Sequence, residues 1–195
     1  MSRVALILVE GETEEEFYSL LVDKYCKSHP KRLKNLHGNF SINNKILDKS
    51  FAFAENNPND EFDVYVCIDQ ERLGSPAYNH QACLVKLKEL PNFRNLVGVV
   101  AILMCESLFF IDIEGVYKYL KTPKGLRNVK KYSNHRTFTH IDLSSLFKRF
   151  NKTYSKGKRC QNFVSHLDLG KISKAKEISD FLTALKKTLP AKAVK

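Results

Sequence analysis

Three apolar stretches of this chain each run into carboxylates. Val4-Ala5-Leu6-Ile7-Leu8-Val9 is followed by Glu10, Phe62-Asp63-Val64-Tyr65-Val66-Cys67-Ile68 by Asp69 and Glu71, and Val97 to Met104 by Cys105 and Glu106. If each stretch is a strand of one open parallel sheet, their C-terminal ends share an edge, and that edge is where such sheets bind ligands. Carboxylates brought together repel one another, and a divalent cation relieves the repulsion. Oxygen donors of this kind suit Mg2+ or Mn2+. One or two such ions activate water and stabilise the leaving oxygen of a phosphodiester. Glu10, Asp69, Glu71 and Glu106 are therefore the candidate metal ligands and catalytic acids. A plainer explanation stays open: acids cap strand ends and helix starts. It accounts well for Glu12, Glu14, Glu15 and Glu16, since Thr13 reads as an N-cap and the first helical turn favours negative charge.

The elements that must position these residues follow from hydrophobic spacing. Residues 3–9 predict a buried strand. Phe17, Leu20, Leu21 and Tyr25 predict a helix over 13–27, closed by His29-Pro30. The polar, basic stretch 30–43 reads as irregular. A helix is expected near 43–56, a turn at Asn56-Asn57-Pro58-Asn59-Asp60, and a strand over 62–68. Further on come a helix near 77–90, a strand over 97–104 and a helix starting at Leu108. Apolar strands alternating with helices predict an α/β fold, a mainly parallel sheet with helices on both faces and right-handed crossovers. Beyond residue 112 the pattern weakens to helices near 113–121, 142–150 and 174–188, separated by basic loops over 122–136 and 151–159. The expected organisation is a catalytic core over 1–112, a basic helical extension over 113–189 packed on it, and a frayed tail over 190–195.

Charge is divided along the same line. Net charge is +11, yet residues 1–112 hold 12 Lys/Arg against 16 Asp/Glu, and residues 113–195 hold 20 against 5. Carboxylates gather cations, and lysines and arginines gather phosphates, so the split suits a nuclease that uses metal. A solvated basic face would look the same. Candidate phosphate contacts are Arg72, Lys124, Arg127, Lys130, Lys131, Arg136, Lys152, Lys158 and Arg159, with Tyr132 and Tyr154 placed to stack on bases. Arg72 pairs with Asp69 or touches phosphate; the sequence leaves both open. No apolar run approaches the roughly 20 residues that span a bilayer, and the N-terminal run is short for a signal peptide, so the expectation is a cytoplasmic protein away from membranes. The five cysteines lack zinc-knuckle spacing, and Cys67 and Cys105 read as buried thiols. His135 and His140 flank an expected short strand and share no metal.

A family resemblance rests on these same motifs. Val9-Glu10-Gly11-Glu12-Thr13-Glu14 after the first strand resembles the glutamate motif of Toprim domains, and Ile68-Asp69-Gln70-Glu71-Arg72 resembles their paired-acid motif, with Glu71 where a second aspartate is usual. Cys105-Glu106-Ser107-Leu108-Phe109-Phe110-Ile111-Asp112 and Tyr154-Ser155-Lys156 resemble later segments of small stand-alone bacterial Toprim proteins of the OLD and RloB-like kind. The resemblance implies Glu10 in acid–base chemistry, Asp69 and Glu71 as metal ligands with Glu106 added, and Lys156 as the cation that steadies phosphate charge. A solvated loop lysine is the other reading of Lys156. It further implies a nuclease effector of anti-phage defence, working with a separate ATPase because this chain has no Walker lysine motif. Alternatives are an RNA-processing or tRNA-cleaving enzyme, and a non-catalytic nucleic-acid-binding regulator. A homodimer is open.

Overall fold

The computed structural model describes residues 3–70, 76–101 and 103–188. Its centre is a four-stranded, all-parallel sheet: β1 (Arg3–Val9), β2 (Lys31–Asn35), β3 (Glu61–Asp69) and β4 (Phe93–Ala101), in the order β2-β1-β3-β4. β1 and β3 are central and buried on both faces, which explains their unbroken apolar sequence. Val9 lies beside Cys67, and Asp69 beside Ala101, so the C-terminal ends form one edge.

Side chains alternate between two apolar layers. Ala5, Ile7, Val9, Tyr65, Cys67, Val99 and Ala101 face one layer, where α1 (Glu12–Tyr25) and α9 (Lys176–Thr188) pack. Val4, Leu6, Leu8, Phe62, Val64, Val66 and Ile68 face the other, covered by α2 (Ile42–Asn56) and α3 (His80–Leu87). The fold is thus α/β with helices on both faces, as the strand pattern predicts. The first layer also contains α4 (Cys105–Phe109), α5 (Ile113–Tyr119), α6 (His140–Arg149), α7 (Gln161–Val164) and α8 (Leu169–Ile172). Phe181 of α9 meets Tyr18 and Tyr65 edge-on at 5.6 Å each, so the last helix shares an aromatic core with the sheet.

Three local expectations are corrected. The stretch expected to be irregular contains β2, an edge strand whose residues are only alternately covered. β4 starts at Phe93 rather than Val97 and ends at Ala101, because its outer edge tolerates Arg94 and Asn95. No strand lies between His135 and His140; a 3-10 turn (His135–Thr137) leads into α6, whose N-terminus is closed by a reciprocal Thr139–Asp142 capping box. The expected 190–195 tail lies outside the described residues. Among those described, all five cysteines are free and buried, and no helix is long and apolar enough to cross a membrane.

Candidate metal centre

Where β1 and β3 end, the chain turns and its acids converge. Asp69 is the last residue of β3. Glu10 follows β1, and its Oε2 accepts the backbone N–H of Asp69 at 3.1 Å, tying the two strand ends together. Glu14 arrives in the first turn of α1, and Glu106 in the first turn of α4. One carboxylate oxygen each from Glu14, Asp69 and Glu106 falls within 4.8 Å of the others. Glu14 and Glu106 are 7% and 1% exposed. The cluster opens into a cavity of about 400 Å3 whose lining includes Glu10, Thr13, Glu14, Asp69, His140 and Lys156.

The C-terminal half supplies the opposite wall. The Tyr154 hydroxyl donates to Glu106 Oε1 at 3.1 Å, and Lys156 Nζ stands 3.6 Å from the same oxygen. The Gly157 N–H donates to Thr13 Oγ1 at 2.9 Å. Gly157 has φ +72°, and a Cβ there would collide with the Glu12 carboxylate, so the tight approach of this loop to α1 requires glycine. Gly11 makes similar room: a Cβ would sit 3.0 Å from Glu14 Oε2.

Crowding shows in the proton affinities. Burial, helped by Glu106 and Glu10 and opposed by Lys156, pushes the Glu14 carboxyl up to about 7. Burial, then Glu14, Glu10 and Glu106, holds Asp69 well above the ordinary aspartate range. Asp69 Oδ1 is buried without a hydrogen-bond partner among the described residues. Burial also pushes the Cys105 thiol well above its usual range, which disfavours a thiolate donor beside the carboxylates. Repelling carboxylates with an unsatisfied oxygen fit a hard divalent cation.

Of the expected acids, the structure brings Glu10, Asp69 and Glu106 together. Glu71 and Arg72 lie outside the described residues. Glu14, attributed to the helix dipole on sequence grounds, is instead one of the three converging groups. Its signal was the helical offset: it sits three and four residues before buried Phe17 and Tyr18, on the inner face of α1. Asp112 takes no part in the cavity. It accepts the Asp168 N–H at 2.8 Å and Lys171 Nζ at 3.0 Å, pinning α8.

The basic candidates divide. Lys124, Lys130, Lys131, Lys158 and Arg159 are exposed, and Lys131 lies over the Tyr132 ring. Arg136 pairs with Glu177 at 3.3 Å. Arg127 donates twice to the Thr122 carbonyl, and Lys152 donates to the Tyr119 carbonyl at 2.8 Å while covering its ring, so both are engaged within the fold. Tyr132 and Tyr154 are buried rather than offered to bases: Tyr132 stacks on Phe110, and Tyr154 meets Phe147 and Phe163 edge-on.

No family model, curated protein or solved structure matches this chain. The functional reading therefore rests on the site. Its parts are a buried three-carboxylate cluster, a fourth acid hydrogen-bonded to the strand end beside it, one half-exposed lysine and an imidazole at the cavity wall. Such a set can hold a cation, exchange protons and meet an anionic substrate.

Proposed function

We propose that this protein is a metal-dependent hydrolase of phosphodiester bonds in nucleic acid. The observation that carries the proposal is the convergence of Glu14, Asp69 and Glu106 oxygens within 4.8 Å, two of them, Glu14 and Asp69, lining a cavity that Lys156 also lines. Glu14, Asp69 and Glu106 would hold Mg2+ or Mn2+, with Glu10 alongside. Bound there, the ion supplies Lewis acidity: it makes water a better nucleophile and screens charge on the phosphate.

The chain's own residues supply the rest. Glu10 has one oxygen fixed by the Asp69 N–H, which orients its carboxylate for accepting a proton from water at the cavity. Tyr154 holds Glu106 in place from the opposite wall. The Lys156 side chain is 53% exposed, so its ammonium can swing from Glu106 to a phosphoryl oxygen and offset charge developing there. Exposed Lys158 and Arg159 follow in the same turn and extend the positive surface beyond the cavity. The Toprim resemblance adds a setting to the proposal, an anti-phage effector acting with a separate ATPase.

Incubation of labelled DNA and structured RNA with Mn2+, Mg2+ or EDTA tests the reading. Cleavage in Mn2+ or Mg2+ that EDTA abolishes and Asp69→Asn reduces at least a hundredfold supports it. Nucleic acid left intact under every metal condition refutes it and favours a binding role without chemistry.

A further inference from the structure

The acidic N-terminal half carries a cationic groove that borders the outer edge of the sheet. Arg32 and Lys34 of β2 and Lys49 of α2 line a cavity of about 370 Å3 together with Leu6, Phe53 and Asn56. The local structure explains why they meet. Arg32 is in register with Leu6 and Lys34 with Leu8, so both project toward the α2 side of the sheet at its uncovered edge. Lys49, Phe53 and Asn56 recur at helical spacing along the α2 ridge that faces that edge. Among the described residues no carboxylate lines the groove. Among the described residues none of the three cations has a salt-bridge partner, although Lys31 next door is paired with Asp23. Three like charges around one depression are poised for an anion.

The groove also leads somewhere. β2 runs parallel to β1, so its C-terminal end points to the same edge as Glu10 and Asp69. Arg32 to Asn35 covers about 10 Å at roughly 3.3 Å per residue. The chain then reaches Gly38, whose N–H donates to the Glu10 carbonyl and which lines the acidic cavity. We propose that the β2–α2 groove binds the phosphodiester backbone of a nucleic-acid strand and delivers it to the acidic cavity. The delivery rests on the hydrolase reading above; the binding does not. The occupant is a polyanion because the lining is cationic, and a linear one because the groove follows the strand toward the cavity. Its apolar floor of Leu6 and Phe53 lets the long cationic side chains lie flat with their charges outward.

The test is equilibrium binding of short fluorescent DNA and RNA strands of one sequence, in EDTA, over a range of salt. The triple variant Arg32→Gln/Lys34→Gln/Lys49→Gln is compared with wild type and with Lys24→Gln/Lys27→Gln/Lys88→Gln, which removes the same charge from other exposed positions. All three proteins are first checked for equal thermal melting. Loss of three phosphate contacts lowers the salt slope by about 2 for a single strand and weakens binding by on the order of tenfold or more. The groove variant should show that drop for DNA, RNA or both, well beyond the control variant. Equal binding by the two triple variants on both nucleic acids overturns the proposal. Because binding is read without metal, wild-type protein that binds but never cuts would sink the hydrolase reading alone, and a groove variant that binds like wild type would sink the groove alone.

Discussion

A carboxyl group buried among other carboxyls keeps its proton to higher pH than it does in the unfolded chain, and Glu14 is in that position with its folded value near 7. Between its ordinary value of 4.5 and about 7 the folded state binds the extra proton, so the metal-free protein loses stability as pH rises through that window. Asp69, raised for the same reason, contributes with the same sign. This is opposite to the usual paired carboxylate, which stabilises as it ionises. The Glu14 share is on the order of 3 kcal/mol at pH 8, from a rise of 4.5 to about 7 at about 1.36 kcal/mol per unit. Melting scans in EDTA should show Tm falling from pH 5 to 8 in wild type and falling less in Glu14→Gln. Mn2+ should raise Tm at pH 8 in wild type and raise it much less in Glu14→Gln. Asp69 and Glu106 were legible in the sequence because acids that follow apolar runs stand out, although only Asp69 ends a strand and Glu106 lies in the first turn of α4. Glu14 was not, because a first-turn glutamate among three others is what the helix dipole alone would select. Only its phase relative to Phe17 and Tyr18 set it apart.

At the scale of elements, the loop from Tyr154 to Gly157 joins the two halves of the chain at the site. Gly157→Ala places a side chain at φ +72° and against Glu12, which should cost roughly 1–2 kcal/mol from the backbone alone. It should also weaken metal binding, since Tyr154 and Lys156 both reach Glu106 from that loop. Gly125→Ala, with open space around its Cβ position, should leave Tm within about 0.5 kcal/mol-equivalent of wild type. Equal melting and equal Mn2+ affinity in the two variants would mean that the loop does not hold the site. Central elements read well from sequence. β1 and β3 are buried on both faces, so their composition is nearly all apolar. The edge strands read poorly. Lys31-Arg32-Leu33-Lys34-Asn35 is half solvated, so it shows no apolar run, and β4 hides Phe93 behind Arg94 and Asn95. The loss of the expected strand before α6 has the same origin: Phe138 and Thr139 look β-forming, but Thr139 is an N-cap.

Over the whole molecule, charge is sorted so that the clustered acids lie largely inside and many of the lysines and arginines of the C-terminal half lie outside. The basic half should bind nucleic acid with affinity falling steeply with salt, because each neutralised phosphate releases about one counterion. A flat salt dependence, measured by titration at several ionic strengths, would point to a different partner. Lys158→Gln/Arg159→Gln should reduce the slope, whereas Arg127→Gln should mainly lower stability, since its guanidinium caps the Thr122 carbonyl. The charge asymmetry was visible in the sequence. Which cations face solvent was not, because the engagement of Arg127 with the nearby Thr122 carbonyl and of Lys152 with the Tyr119 carbonyl depends on loop geometry that spacing does not encode.

Calorimetric titration of Mn2+ into the metal-free protein near pH 7, in two buffers of different ionisation enthalpy, tests the metal centre most directly. Glu14, raised to about 7, partly holds a proton there that a cation must displace, and the raised Asp69 acts in the same direction, so binding should release protons into the buffer. Wild-type protein should bind with heats that depend on the buffer, and Glu14→Gln and Asp69→Asn should each bind at least tenfold more weakly. Absence of binding in the wild type, or equal affinity in all three proteins, would contradict a metal centre built from Glu14, Asp69 and Glu106.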